Sequence, residues 1–225
     1  MNLGIIIQAR MGSTRLPGKV LMFLGGKTLL DHILERVMLL KNEHKVIIAT
    51  TKKKRDDLIN EWCLSRKITC FRGEEDNVLK RYYVCAKKYK FNNIVRLTAD
   101  NPFLDPSELD NLINLHLHNS YDYSNSFGQL PIGVGAEIFT IDALRKSFHF
   151  GTKDHHKEHV NEYIFDNPSG FNIGKLKIKN NKCAPRLSLT VDTKKDLERA
   201  IQVLNKSKQT YLDTEEAINI CSQFA

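Results

Sequence analysis

The chain has 225 residues, 41% hydrophobic and 27% charged, the balance of an ordinary globular protein with enough chain for one well-packed domain. No window approaches the roughly 20 consecutive apolar residues of a bilayer span, so no membrane insertion is expected. The net charge of +8 suits an anionic partner, but the densest run, Lys52-Lys53-Lys54-Arg55, lacks the interleaved aromatics of a base-stacking surface, and no nucleic-acid partner is expected.

Residues 3–9 are almost continuously apolar, the pattern of a strand buried on both faces; no basic n-region precedes them, which argues against a signal peptide. Leu29, Leu30, Ile33, Leu34, Val37 and Met38 follow at helical spacing. Lys45–Thr50 predicts a second strand, Asp56–Arg66 a second helix, and Ile68–Phe71 a short strand before a helix over about Asp76–Tyr89. Asn93–Thr98 is a further buried strand, and Asp105-Pro106 marks a helix start, with an N-cap and a proline at the first helical position. Four strand–helix units within the first 118 residues predict an α/β fold with a doubly wound, mostly parallel, Rossmann-like sheet.

The pattern then loosens. Tyr121–Phe127, Ala136–Phe139, Asn172–Ile178 and Leu187–Val191 are expected as strands, and Asp154–Phe165 as a helix. Helices over about Lys194–Leu204 and Thr214–Ser222 end the chain. This half is expected to supply a mixed sheet edge or a dimerisation element, within one domain spanning residues 1–225. The five cysteines are odd in number, widely spaced and free of any Cys-x-x-Cys pair, which fits packed thiols in a reducing, cytoplasmic setting.

Directly after the first strand comes Gln8-Ala9-Arg10-Met11-Gly12-Ser13-Thr14-Arg15-Leu16-Pro17-Gly18-Lys19. Glycines, small hydroxyl residues and three cations gather at the carboxyl end of strand one, where ligands bind in open α/β sheets. Gly12 and Gly18 permit close backbone approach, while N–H groups, Arg10 and Lys19 supply positive charge for a polyphosphate. Neither a Walker A loop nor a dinucleotide fingerprint fits: five residues separate Gly12 from Gly18-Lys19, Val20 follows, and no Gly-x-Gly-x-x-Gly occurs.

The string IIIQARMGSTRLPGKVL closely resembles the first motif of the CMP-sugar-acid synthetases, the Kdo and acylneuraminate cytidylyltransferases, and is most similar to the spore-coat polysaccharide subgroup. The resemblance implies that Arg10 and Lys19 contact a nucleoside triphosphate and that the segment around Ala9, Gly12 and Ser13 holds the nucleotide. Residues 1–118 would form the nucleotide half, and residues 119–225 the acceptor or dimer half. It further implies CTP as donor, a small sugar acceptor and a homodimer. Gln8 departs from the family, whose Kdo and sialic-acid members usually carry proline there.

Two aspartates follow strand-like stretches: Asp100 after NIVRLT, and Asp192 after Leu187–Val191. Read alone, each is equally a strand-end or capping residue; together they suit an octahedral Mg²⁺ bound to a triphosphate. The family's mid-chain Asp-x-Pro and late Asp-Thr-x-x-Asp-Leu match here, which implies Asp100 and Asp192 as metal ligands and Asp196 as a first-turn helix residue. Arg10, Lys19 and Asp100 are then the expected catalytic set. Phe71-Arg72-Gly73-Glu74-Glu75-Asp76 is a third match; Arg72 and Gly73 are expected at the nucleotide, and Asp76 there or as a helix cap.

Asp154-His155-His156-Lys157-Glu158-His159 contains a formal His-x-x-Glu-His, an inverted zinc-peptidase pattern, but no third ligand accompanies it. The resemblance instead implies Glu158 and His159 on the acceptor side, a solvated helix face being the plainer reading. Glu137, after Pro131-Ile132-Gly133, is placed with the acceptor by the same resemblance; a buried glutamate accepting hydrogen bonds explains it equally. A nucleotide-sugar-dependent glycosyltransferase would also pair aspartates around a metal but would lack the Arg10-to-Lys19 loop. A binding protein of the same fold that has lost activity is a further alternative.

Overall fold

The computed structural model describes residues 2–207 and 211–224. Its first half runs β1 (Leu3–Gln8), β2 (Phe23–Leu24), β3 (Lys27–Thr28), α1 (Leu29–Val37), β4 (Lys45–Thr51), α2 (Asp57–Ser65), β5 (Thr69–Gly73), α3 (Val78–Lys88), β6 (Asn93–Thr98) and α4 (Pro106–His118). The second half adds β7 (Tyr123–Asn125), β8 (Glu137–Thr140), α5 (Ile141–Phe150), α6 (Asp154–Glu158), α7 (Glu162–Asp166), β9 (Ile173–Lys175), α8 (Lys194–Lys206) and α9 (Thr214–Ser222).

One sheet passes through both halves in the order β5-β4-β1-β6-β8-β7-β9. β5, β4, β1 and β6 are mutually parallel, whereas β8 runs antiparallel to both β6 and β7. The chain winds outward from β1 to β4 and β5, then returns to place β6 on the other side of β1. That reversal is a topological switch point, and it opens a crevice beyond the carboxyl ends of β1 and β6. Gln8 and Thr98, the last residues of those strands, are register partners, so the loops that follow them leave side by side.

The apolar run of β1 follows from burial on both faces. Ile5 and Ile7 pack with Ile33, Trp62 and Leu112, while Ile6 packs on the opposite face with Ile47, Tyr82 and Phe139. All three isoleucines are fully buried, each worth about 2 kcal/mol of burial. A third cluster joins α8 and α9 to the hairpin β2–β3 and the start of α1 through Leu24, Leu29, Val203 and Ala217.

Helix starts follow side-chain capping. Asp105 Oδ1 accepts the Glu108 N–H at 3.0 Å, as expected. Thr193 and Asp196 form a capping box that opens α8. α3 starts later than Asp76, because Asn77 is the cap, accepting the Lys80 N–H at 2.8 Å.

Three expectations change. Leu187–Val191 is extended but joins no strand: it makes one bridge, Ile132 to Ser188, against a loop that turns away at Gly133, whose φ is +89°. The helix expected over 154–165 breaks at His159, which is extended, leaving α6 and α7. His156 Nε2 lies 3.0 Å from Asp166 Oδ2, a contact that ten residues of continuous helix, about 15 Å of rise, would forbid. α5 was not anticipated; Thr140 caps it, and it buries Ala143, Leu144 and Ser147. Among the described residues no helix is long and apolar enough to cross a membrane.

Candidate active site

A cleft of about 620 Å³ opens beyond the carboxyl ends of β1 and β6. The loop after β1 lines it with Ala9, Arg10, Ser13, Thr14, Arg15 and Lys19. Asp100 enters from the loop after β6, and Asp192 from the segment before α8. Asp154, Lys157, Glu158 and His159 close the wall around α6. Residues separated by well over a hundred positions are thus brought to one polar cavity.

The loop is held in shape by its own backbone and by one buried carboxylate. The Gly18 N–H donates to the Met11 carbonyl at 2.9 Å, and Gly18 adopts φ +73°, where a side chain would be strained. Asp56, fully buried, accepts the Met11 N–H at 2.7 Å on Oδ1 and the Thr51 hydroxyl on Oδ2. The Ser13 hydroxyl accepts the Leu16 N–H at 3.2 Å.

Lys19 and Arg10 differ sharply. The Lys19 ammonium donates to Asp100 Oδ2 at 2.8 Å, to Asp192 Oδ1 at 2.8 Å and to the Val191 carbonyl at 2.9 Å. Asp192 Oδ1 also meets Arg15 Nη2 at 3.0 Å. Arg10 is exposed in the cleft and has no hydrogen bond or ion pair among the described residues. Arg81, buried on α3, faces the same cleft; burial foremost lowers its pKa, and the nearby Arg10 charge adds to that effect. Two like charges converging on a cavity favour an anionic ligand.

The donor set suits a hard divalent cation. Asp100 and Asp192 offer carboxylate oxygen only, and each uses a single oxygen in the bridge to Lys19. Their side chains are 28% exposed, open enough to the cleft for a further ligand.

Four residues expected at the site do not line the cleft. Gly12 faces Arg55, where an added Cβ would sit 2.5 Å from Arg55 Nη2. Arg72 is a clamp between strands: its guanidinium donates to the Thr51 and Lys53 carbonyls at 2.9 Å and to Asp57 at 2.6 Å. Gly73 makes room for Arg81, whose Cγ would be 2.8 Å from an added Cβ. Glu137 is fully buried; it pairs with Arg96 and accepts the Tyr123 hydroxyl at 2.6 Å. It reaches the cleft only through Arg96, a lining residue.

Sequence reasoning passed over Arg81 and Arg96, although each carried a signal. Arg96 interrupts the apolar strand NIVRLT, and Arg81 falls on the buried face of α3 with Val78, Tyr82 and Cys85. A charge at such a place needs a partner or a ligand.

The histidine pattern resolves into an anchor. His155 Nε2, His156 Nε2 and Lys153 Nζ all reach Asp166 Oδ2, at 3.1, 3.0 and 2.8 Å. The Lys153 N–H donates to His156 Nδ1 at 3.4 Å, so the neutral ring carries its proton on Nε2, the atom a metal would need bare. The cluster ties α7 to α6 and so holds Lys157, Glu158 and His159 against the cleft.

A second cavity, of about 440 Å³, shares Thr98, Asp100 and Asp192 with the first and extends between Phe127, Ile132 and Pro185. The carboxylate pair therefore stands on the wall common to both.

Known proteins similar to this chain cover most of its length. The spore coat polysaccharide biosynthesis protein SpsF of Bacillus subtilis is 38% identical over 198 residues, covering 86% of this chain and 82% of that one. A 3-deoxy-manno-octulosonate cytidylyltransferase of Trichlorobacter lovleyi is 29% identical over 119 residues, 53% of this chain and 46% of that one. The structure of a cytidylyltransferase from Leptospira borgpetersenii superimposes with a TM-score of 0.93 at 30% identity, covering 100% of this chain and 95% of that one. The cytidylyltransferase family model matches residues 4–219, a span that holds the loop after β1, both aspartates and α6, and the chain belongs to that family.

Proposed function

We propose that the chain transfers CMP from CTP to a sugar acid, releasing pyrophosphate, in the synthesis of a surface polysaccharide. The observation that carries this reading is the convergence of Arg10, Lys19, Asp100 and Asp192 on one cleft at the switch point of the sheet. The similarity to a spore coat polysaccharide protein and to a 3-deoxy-manno-octulosonate cytidylyltransferase supports a sugar acid as acceptor.

In this reading the triphosphate lies along the loop after β1, where Arg10, Arg15 and Lys157 offset its charge. Asp100 and Asp192 would hold Mg²⁺, which when bound neutralises phosphate oxygens as a Lewis acid. Glu158 and His159 orient the acceptor from α6. A sugar hydroxyl attacks the α-phosphorus in line: the new oxygen–phosphorus bond forms as the bond to pyrophosphate breaks, and the hydroxyl proton leaves to solvent. Positioning and charge stabilisation carry the step, without a covalent intermediate.

The test is pyrophosphate release with Mg²⁺, comparing CTP with ATP, GTP and UTP across a panel of sugar acids. CTP-specific release with one acid, abolished by Asp100→Ala, is the expected result. Release with another nucleotide, or none alongside no CTP binding, would overturn the reading.

A further inference from the structure

An ammonium group has three N–H donors, and those of Lys19 are all engaged, two by the carboxylates of Asp100 and Asp192 and one by the Val191 carbonyl. Its side chain is 8% exposed. Arg15 also meets Asp192, from the exposed side, but Lys19 is the cation that bridges both carboxylates at bonding distance. We infer that Lys19 is the resident counter-ion of this pair in the nucleotide-free protein: it keeps free divalent cations out until a triphosphate draws the ammonium away. The inference rests on the nucleotide reading above and concerns how that site is filled.

The physical argument is one of exchange. Two partly buried carboxylates a few ångströms apart repel each other and require neutralisation. A divalent cation arriving alone meets the Lys19 charge, and to displace it must leave a buried ammonium with only the Val191 carbonyl as acceptor, which is costly. A triphosphate changes that balance, because its oxygens can accept the Lys19 N–H groups as the carboxylates are released. Lysine suits such a transfer, being a point charge on a flexible stem, whereas an arginine fork would demand fixed bidentate geometry. The backbone beside Lys19 is tied, the Gly18 N–H donating to the Met11 carbonyl, so the exchange falls to the side-chain torsions of Lys19. Arg10, exposed and unbonded among the described residues, is placed to meet the incoming phosphates first.

The experiment is a Mn²⁺ titration followed by electron paramagnetic resonance, on nucleotide-free wild type, Lys19→Met and Lys19→Gln. Both variants are expected to bind free Mn²⁺ roughly tenfold or more tightly than wild type, the repelling charge having gone. Adding Asp100→Asn to Lys19→Met should abolish the gain, which locates it. Wild type should reach comparable Mn²⁺ affinity only with a non-hydrolysable CTP analogue present, and the variants should bind that analogue more weakly. Lys19→Gln keeps two N–H donors and serves if Lys19→Met does not fold, as judged by circular dichroism. Folded variants that bind free Mn²⁺ no more tightly than wild type would overturn the inference. So would a nucleotide-free wild type that already binds Mn²⁺ as tightly as it does with the analogue, a result that needs no variant. The nucleotide-free comparison is independent of turnover, so an absence of pyrophosphate release would count against the proposed function and not against this result.

Discussion

Arg96 and Glu137 are register partners across the antiparallel pair β6–β8, and their side chains form an ion pair beneath the cleft floor. Glu137 is fully buried and Arg96 is 14% exposed in its side chain. Burial opposes the Arg96 charge, but Glu137 more than offsets it, and the guanidinium pKa is raised. Glu137→Ala would leave that charge uncompensated and should cost about 3–5 kcal/mol of stability, read from urea unfolding. Glu137→Gln keeps an acceptor for the Tyr123 hydroxyl and should cost less. An unchanged unfolding midpoint for Glu137→Ala would show the pair to be dispensable.

Gly73 offers a test of Arg81. An added Cβ would lie 2.8 Å from Arg81 Cγ and 3.1 Å from Phe71 Cε1, so Gly73→Ala must displace the arginine stem. The overpacking should cost about 1–3 kcal/mol. Because Arg81 lines the cleft, the KM for CTP should rise while kcat changes little. A stability loss with unaltered KM would separate Arg81 from nucleotide binding.

The sheet was legible because parallel strands buried on both faces read as apolar runs, unbroken over Ile5–Ile7 of β1 and Val46–Ala49 of β4 and interrupted by Arg96 in β6. Arg10, Lys19, Asp100 and Asp192 were legible because they follow those strands or match a motif at a fixed place. The second half was harder for a physical reason. Its strands are three or four residues long, and extended segments such as Leu187–Val191 pair with a loop and not with a strand. Sequence periodicity cannot distinguish the two. The break at His159 was hidden because His156, Val160 and Ile164, all buried, keep helical spacing across it, while the cause, Asp166 folding back on His156, is a tertiary contact. Arg72 illustrates the converse: its position at a strand end suggested a ligand, but the carbonyls of Thr51 and Lys53 already take its donors.

His116 makes stability depend on pH. It is 2% exposed on α4, with Nδ1 2.9 Å from the Ser124 hydroxyl and Nε2 3.2 Å from Asn93 Oδ1. Burial pushes its pKa down from the ordinary 6.5 to about 4, the Asp122 charge opposing only in part. Between those values the unfolded chain binds the proton and the folded chain does not, so stability falls as pH drops from 6.5 toward 4. The full contribution is on the order of 3 kcal/mol. Urea midpoints at pH 7 and pH 4.5 should differ less in His116→Gln than in wild type; an equal difference in both would assign the pH dependence elsewhere.

Asp166 should act on the acceptor from a distance. Lys153, His156 and His155 hold its carboxyl well below the usual carboxylate range. Asp166→Asn removes the charge on which three side chains converge and should loosen α6 from α7 without touching the loop after β1. The KM for the sugar should rise roughly threefold or more, through mispositioned Glu158 and His159, while the KM for CTP holds. The same cluster should retain no Zn²⁺ after dialysis, since the Lys153 N–H fixes the His156 proton on Nε2 and Lys153 Nζ already occupies the shared oxygen. One equivalent of Zn²⁺ retained by wild type and lost in Asp166→Asn would replace the anchor with a metal site; an unchanged sugar KM would detach α6 from acceptor binding.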